Sequence, residues 1–438
     1  MKATILNGSR RDDTYANVAR RALEAELAGQ GWEQQWHDLA DHAIAPCGGE
    51  FGCWVQTPGI CIHDDINRVI ARDAAQSDLL VFFTPVTFGG YSAELKKAVD
   101  HLIQNVLPFF TVIDGTVRHQ PRYTRHPGLL VIGWLPDSDP ESGRIFRTLV
   151  RCNTANFHAP SMVCGILNAK QNGEAARAEV RRLLDVLQQG GETGQPFADS
   201  GAEAVSPEPL IPPPKEALLL VGSPRPLKST SEMLGSYLLE RLAAAGMRTA
   251  TLHVHSCLRT EERTESLLAA VRQADLVIIS FPLYVDSLPA PLMRALESIA
   301  VERSRAPASK PQLLSAIVNC GFPEADHTRT AVEISRQFAL QAGFGWAGGM
   351  RLGAGQGLVH GTPLKELGGR ARHLIQALEA AAQALQQGRA IPKEASLAMS
   401  RKAIPSWLYL LLGGLGWRVM AHRNKTGRTL RARPYAET

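Results

Sequence analysis

Residues 222–231 read GSPRPLKSTS and gather a glycine, four hydroxyls (Ser223, Ser229, Thr230 and Ser231) and two cations (Arg225 and Lys228). They stand where a short apolar run gives way to an amphipathic helical pattern, so the segment reads as a strand-to-helix turn. Free backbone N–H groups and the positive end of the helix dipole meet at such a turn and favour an anion. Glycine permits close approach, hydroxyls bond phosphate oxygens and the cations offset charge, which suits one terminal phosphate. The segment is neither a G-x-G-x-x-G turn nor a P-loop, since the GK[ST] ending is missing. An ordinary Ser/Thr helix cap is the competing reading. The next apolar run ends in FPLYVDSLPAPL, residues 281–292, where Tyr284 stands between prolines as a platform for a planar ring. NCGFPEAD, residues 319–326, adds a small polar loop at the same sheet edge.

A second constellation lies at residues 47–65, CGGEFGCWVQTPGICIHDD, which holds three of the seven cysteines, Cys47, Cys53 and Cys61. Four readings are open: an iron-sulfur cluster, a zinc site completed by His63, a redox thiol pair, or a loop stiffened by tryptophan and proline with no chemistry of its own. The structural loop is favoured, because three thiolates suit a four-iron cluster poorly, and no metal ligand is assigned. An odd number of cysteines over a long chain does not read as a disulfide framework. Thirteen histidines show no H-E-x-x-H spacing, and no G-x-S-x-G elbow occurs, so hydrolase chemistry has no support. Cys257 and Cys320 read as small apolar or loop residues, and Asp100 and Glu297 as carboxylates on solvated helix faces.

The elements that must position these residues occur twice. ATILNGSRRDDTYANVARRALEAELAGQG, from Ala3, and ALLLVGSPRPLKSTSEMLGSYLLERLAAAG, from Ala217, are both strand, glycine turn and helix. Asp78 and Pro85 match Asp275 and Pro282, and Pro136 matches Pro323. Apolar runs alternate with helical patterns in each copy, which predicts α/β architecture: two tandem doubly wound parallel sheets followed by a C-terminal arm. The expected boundaries are 1–189, a Pro/Gly-rich linker over 190–216, 217–390, and the arm over 391–438. The offset between copies is 214 at Gly8 and Gly222 but 197 at Pro85 and Pro282, so the cysteine segment is an insertion of about 17 residues in the first copy.

GSPRPLKSTS followed by FPLYVDSLPAPL resembles the flavodoxin-like NADPH-dependent FMN reductase family, over residues 217 to about 385, which implies two tandem flavodoxin-like doubly wound parallel sheets, each of order 2-1-3-4-5. The resemblance implies that Ser223, Arg225, Ser229, Thr230 and Ser231 hold the FMN phosphate. It implies further that Pro282, Leu283, Tyr284 and Val285 flank the ring, with Asn319, Cys320 and Gly321 at its edge. The first copy is similar to the same family over residues 1 to about 190. There Ser9, Arg10 and Thr14 correspond to the phosphate loop, and Pro85, Val86, Thr87, Phe88 and Gly89, continuing to Tyr91, to the ring loop. Asp12 and Asp13 depart from the pattern, since carboxylates beside a dianion cost binding energy unless Arg10, Arg11 or solvent offset them. The first copy is therefore expected to bind FMN weakly or to complete a neighbouring site, with Phe88, Tyr91 and the cysteine loop as a lid. In iron-sulfur flavoproteins of this superfamily a C-x-x-C-x-x-C loop with a further cysteine holds a four-iron cluster. Here Glu50 stands at the second ligand position, and a cluster is not expected.

The resemblance implies an NAD(P)H-dependent flavin oxidoreductase that passes electrons to a small acceptor such as a quinone or another flavin, with FMN as cofactor and no catalytic side chain to nominate. A flavodoxin-like electron carrier or a flavin-binding assembly protein serving a protein partner is the alternative. Single-domain members pair as dimers, so a homodimer or an internal pseudo-dimer is anticipated. Residues 401–438 carry eight of the basic residues and one acid, which leaves the rest of the chain near −2 and gives no basic face for nucleic acid. The arm's apolar stretch from Pro405, broken by Gly413, Gly414 and Gly416, is short for a membrane span. It reads first as packed on a domain and second as a peripheral membrane contact. With no apolar run suited to a signal peptide at the amino terminus, a cytoplasmic location is expected.

Overall fold

The computed structural model describes residues 1–192, 210–225 and 228–436. Most of the expected linker, residues 193–209, lies outside these. The chain divides into two compact units, residues 1–198 together with 406–438, and residues 199–405.

In the first unit five strands are parallel: β1 (Lys2–Asn7), β2 (Glu33–Asp38), β3 (Leu79–Thr87), β4 (Gly128–Leu135) and β5 (Met162–Asn168), in the order β2-β1-β3-β4-β5. In the second unit β6 (Glu216–Val221), β7 (Arg248–His253), β8 (Leu276–Pro282), β9 (Leu313–Asn319) and β10 (Gly345–Leu352) repeat the pattern as β7-β6-β8-β9-β10. Central strands such as LLVFFTPVT and LLSAIVN are apolar almost throughout because crossover helices cover both faces. Ile5, Val81 and Ile132 pack under the helix Thr14–Gly29 and the helix Gly173–Gln188. Leu219, Ile278 and Ile317 pack under the helix Thr230–Ala244 and the helix Arg372–Leu385.

An antiparallel hairpin, Val106–Ile113 with Thr116–Pro121, has no counterpart in the second unit's described residues. A further fall in the copy offset, from 197 at Pro85 and Pro282 to 187 at Pro136 and Pro323, is the trace it leaves in the sequence. The hairpin and the cysteine loop form the seat of the helix Ser406–Arg423. Trp417 meets the rings of Trp54 and Phe51 edge-on at 5.1 and 5.2 Å, and Tyr409 tilts against Phe110 at 5.1 Å. Beyond the helix, the buried Arg122 guanidinium donates to the carbonyls of Val106, Leu430 and Ala432. Gln104 Oε1 accepts from the Cys61 N–H at 3.0 Å and from the Tyr435 hydroxyl at 3.3 Å.

Two carboxylates depart from the sequence expectation. Asp100 is buried in an ion pair with the fully buried Lys96 at 2.7 Å, and Glu297 is buried beside Arg294 at 3.2 Å. Neither lies on a solvated face, because each helix turns that residue inward and supplies a cation one turn or less away.

Candidate functional site

The carboxyl ends of β6, β8, β9 and β10 set four loops of the second unit side by side. The helix Thr230–Ala244 begins at Ser229, whose Oγ accepts from the Glu232 N–H at 3.1 Å. Glu232 Oε2 accepts from the Lys228 N–H at 2.7 Å while Oε1 faces His253 Nε2 at 3.2 Å, so this first-turn carboxylate is held by its own loop. Ser223 Oγ accepts from the Arg225 N–H at 3.3 Å, and Ser231 Oγ accepts from Asn319 Nδ2 at 2.8 Å. All three serines are buried. Because each oxygen serves as an acceptor, each hydroxyl proton remains to donate to a phosphate oxygen. Thr230 differs: its hydroxyl donates to the Gly355 carbonyl at 3.4 Å, so its first-turn N–H is what it can offer an anion. Arg225 is half-buried on the same loop. His255, beside the Ser223 backbone, is shifted below the ordinary histidine range by burial and by His253.

After β8 the chain turns tightly. Tyr284 and Ser287 exchange both backbone hydrogen bonds, at 2.9 and 3.1 Å, across Val285 and Asp286, which hold φ values of 47° and 57°. A β-branched residue in the left-handed region is uncommon and costs on the order of 1–3 kcal/mol. Pro282, Leu283, Tyr284 and Val285 are half-buried, which leaves a surface for a flat ligand. Asn319 ties the edge together, since its side chain donates to Ser231 Oγ and to the Phe281 carbonyl while its carbonyl accepts from the Leu283 N–H at 2.7 Å. Gly321 is exposed, whereas Cys320 is buried with its thiol directed to the Phe322 and Glu324 carbonyls, and burial pushes that thiol up to about 12. The fourth loop, residues 353–361, escaped the sequence reading. The Gly355 N–H donates to the Cys320 carbonyl, and a side chain at Gly355 would sit 3.0 Å from Asn319 Cβ and 3.2 Å from Thr230 Cγ2. The glycine-rich run LGAGQGLVHG was the available signal.

The same positions in the first unit are used differently. Ser9 Oγ lies 2.8 Å from Asn7 Oδ1 and donates to it, so its proton is committed. The N-cap of the helix Thr14–Gly29 is Asp13, whose Oδ1 accepts from the Ala16 N–H and whose Oδ2 accepts from Trp134 Nε1, both at 3.0 Å. A carboxylate therefore holds the place of an external anion. Arg11 pairs with Asp41 at 2.7 Å, and Arg10 and Thr14 are exposed. The pocket lined by Asn7, Ser9, Arg10, Asp13, Arg20 and Asp38 encloses about 200 Å³. In the ring loop Phe88 (φ 55°) and Gly89 (φ 80°) make the matching turn, with Val86 facing Tyr91 and Thr87 facing Gly90. Pro85 and Thr87 are half-buried, but Val86, Phe88 and Gly89 are buried. Tyr91 packs on Phe82 and Phe146 and donates to Asn153 Oδ1 at 2.9 Å. Phe88 and Tyr91 thus belong to the first unit's core and do not form a lid, which corrects the sequence expectation.

In the cysteine loop Cys53 and Cys61 are buried and Cys47 is partly so. Burial raises all three thiols, Cys53 to about 12, and Glu50 lies near enough to raise each further. His101 Nε2 donates to the Ala45 carbonyl at 2.7 Å, which makes Nδ1 the acceptor for the Cys61 thiol at 3.4 Å. Among the described residues no group of three His, Cys, Asp or Glu side chains is arranged to hold a metal ion. Trp54 fixes the loop by donating to the Ile103 and Val106 carbonyls.

The model of the NADPH-dependent FMN reductase family matches residues 1–123 and 216–340, more than half of the chain. The chain belongs to that family. Each matched segment begins at or beside the first strand of one unit, so the two sheets are two family domains in tandem. A curated relative, an iron-sulfur flavoprotein of Methanocaldococcus jannaschii, is 34% identical over 102 residues, which is 23% of this chain and 51% of that protein. The chain thus spans about half the length of the curated relative it matches. Among solved structures, an NAD(P)H:quinone oxidoreductase from Methanothermobacter marburgensis aligns with 14% identity and a TM-score of 0.34, covering 42% of this chain and 98% of that one. A flavodoxin from Streptococcus pneumonia TIGR4 aligns with 14% identity and a TM-score of 0.27, covering 39% and 96%.

Proposed function

We propose that the second domain holds FMN and that the protein is an NAD(P)H-dependent flavin oxidoreductase delivering electrons to a small acceptor such as a quinone or a free flavin. The observation that carries this reading is the hydrogen-bond polarity of Ser223, Ser229 and Ser231, whose oxygens accept within the protein and whose protons remain for phosphate. Arg225 and the first N–H groups of the helix Thr230–Ala244 would add positive charge there. Pro282, Leu283, Tyr284 and Val285 would flank the ring, with Asn319 and Gly321 at its edge and Cys320 behind them as a packed, protonated thiol. An FMN held there by these residues would supply the hydride-accepting and electron-passing chemistry. The chain's own residues bind and orient, and the Asn319 bonds and the strained turn at Val285 and Asp286 keep the loops in register. In the first domain the Asp13 carboxylate and the Asn7–Ser9 bond do not fit a phosphate, so the reading is one FMN per chain.

The test is reconstitution with FMN, counting flavin per chain, followed by NADH and NADPH oxidation with a quinone added. One FMN per chain and acceptor-dependent oxidation are expected. A chain that takes up no flavin, or flavin that stays bound without nicotinamide oxidation, overturns the reading.

A further inference from the structure

The helix Ser406–Arg423 is apolar on every side, SWLYLLLGGLGWRVMAHR, yet only one side is covered. Tyr409, Gly413, Trp417 and Ala421, spaced four apart, face the hairpin and the cysteine loop. The opposite side carries Trp407, Leu411, Leu415 and Val419, again four apart, with Leu412 beside them. These are 67%, 63%, 56%, 44% and 53% exposed, respectively, in a chain whose other apolar side chains are largely buried. Helical geometry of 100° per residue puts Arg418 along one edge of this stripe, its guanidinium 5.5 Å over the Phe109 ring, and Arg423 along the other. Past the helix Lys425, Arg428, Arg431 and Arg433 are exposed as well. No described helix is long and apolar enough to cross a membrane.

We propose that this face docks on an anionic lipid surface, with the helix lying in the plane of the interface. An apolar stripe rimmed by cations matches a bilayer surface, where side chains enter the acyl boundary and arginines meet lipid phosphates. The same rim argues against a second copy as the occupant, because a two-fold contact across the stripe would bring like cations together. Trp407 at the end of the helix suits the headgroup layer. The inner face is already fixed by Trp54 and Phe110, so the outer face is presented as a preformed surface and no folding step is needed for contact.

The experiment is co-sedimentation of the full chain with vesicles of phosphatidylcholine alone and of phosphatidylcholine with roughly one third phosphatidylglycerol, an anionic composition chosen for its surface potential. Binding to the anionic vesicles is expected, weakened at least tenfold by Leu411→Ser with Leu415→Ser and by raising the salt. Arg423→Glu with Arg428→Glu is expected to abolish the preference for anionic lipid. These positions are exposed, so the thermal melt of the first unit should be unchanged in both variants. Absence of vesicle binding by the wild-type chain overturns the proposal, as does equal binding by the serine variant. A concentration-dependent dimer that the serine variant abolishes also overturns it, since a second copy would then cover the face.

Discussion

Asn7 and Val221 end the first strands of the two family domains, and the loops that follow, different in length and sequence, are organised differently. With Asn7 in place, Ser9 donates its proton back to the strand end, and Asp13 closes the helix from within. With Val221, Ser223 has no such acceptor, its oxygen receives the Arg225 N–H, and a neutral Ser229 caps the helix. One loop satisfies its helix end with an internal carboxylate, and the other caps it with a neutral serine. The elaborations follow the same division: the cysteine loop, the hairpin and the C-terminal helix all belong to the domain whose loop is self-satisfied.

The largest effect expected from exchanging residues between copies is at Lys96, which corresponds to Met293. Lys96→Met would strand the buried Asp100 charge and destabilise the first unit by about 3–5 kcal/mol, whereas Lys96→Met with Asp100→Leu should recover most of that loss. Chemical denaturation followed by the tryptophan fluorescence of the first unit would measure both, and an equally unstable double variant would contradict the pairing. Next comes Ser229→Asp, which transplants the Asp13 cap into the second domain. An aspartate remains a good N-cap. A carboxylate about 5 Å from phosphate costs on the order of 3 kcal/mol at an effective dielectric near 20, so FMN affinity should fall roughly a hundredfold while the fold persists. Flavin titration decides this, and unchanged affinity would remove residues 222–231 from the site. A smaller change is expected from Asp13→Ala, which loses the cap and leaves the Trp134 indole N–H unpaired, lowering first-unit stability by about 2 kcal/mol. Flavin per chain should not rise, because Ser9 still donates to Asn7; a second FMN would show that Asp13 alone kept phosphate out.

The smallest effect concerns Glu26, which corresponds to Arg241 on the equivalent helix. Hydrogen bonds from Arg181 and Arg177 hold its carboxyl at about 2, against an ordinary 4.5. A depressed folded-state pKa contributes stability that is fully present above 4.5 and is lost as the pH falls toward 2. The first unit's melting temperature should therefore decline across that window, and Glu26→Gln should flatten the decline. A wild-type curve that is itself flat there would count against the Arg–Glu–Arg bridge.

The parallel sheets of both units were legible because alternation of apolar runs with helical periods is a local property that the repeat supplied twice, while their strand order followed from the family resemblance. The second domain's loops were legible for the same reason, since hydroxyls, glycines and prolines act on their own backbone. What the sequence concealed depended on contacts across the fold. Nothing local in Asp13 reveals that Trp134, at the end of β4, will bond its second oxygen, and nothing in Tyr91 announces Asn153 as its partner. The carboxylates Asp100 and Glu297 were misread because a charged residue on a helix is ordinarily solvated, and only the cation one turn or less away makes burial tolerable. The hairpin was readable from the copy offset at Pro136 and Pro323, a signal that comes from counting and not from residue type.

The Arg122 guanidinium closes on the carbonyls of Leu430 and Ala432, more than three hundred residues further along the chain. During synthesis, then, the amino-terminal domain emerges with Trp54, Val106 and Phe109 uncovered and must wait for the whole second domain to be translated before its last helix arrives. At ~5–20 residues per second that wait is on the order of tens of seconds. For that interval the nascent chain displays an open aromatic surface, and the first domain is completed only once residues beyond the second domain have emerged.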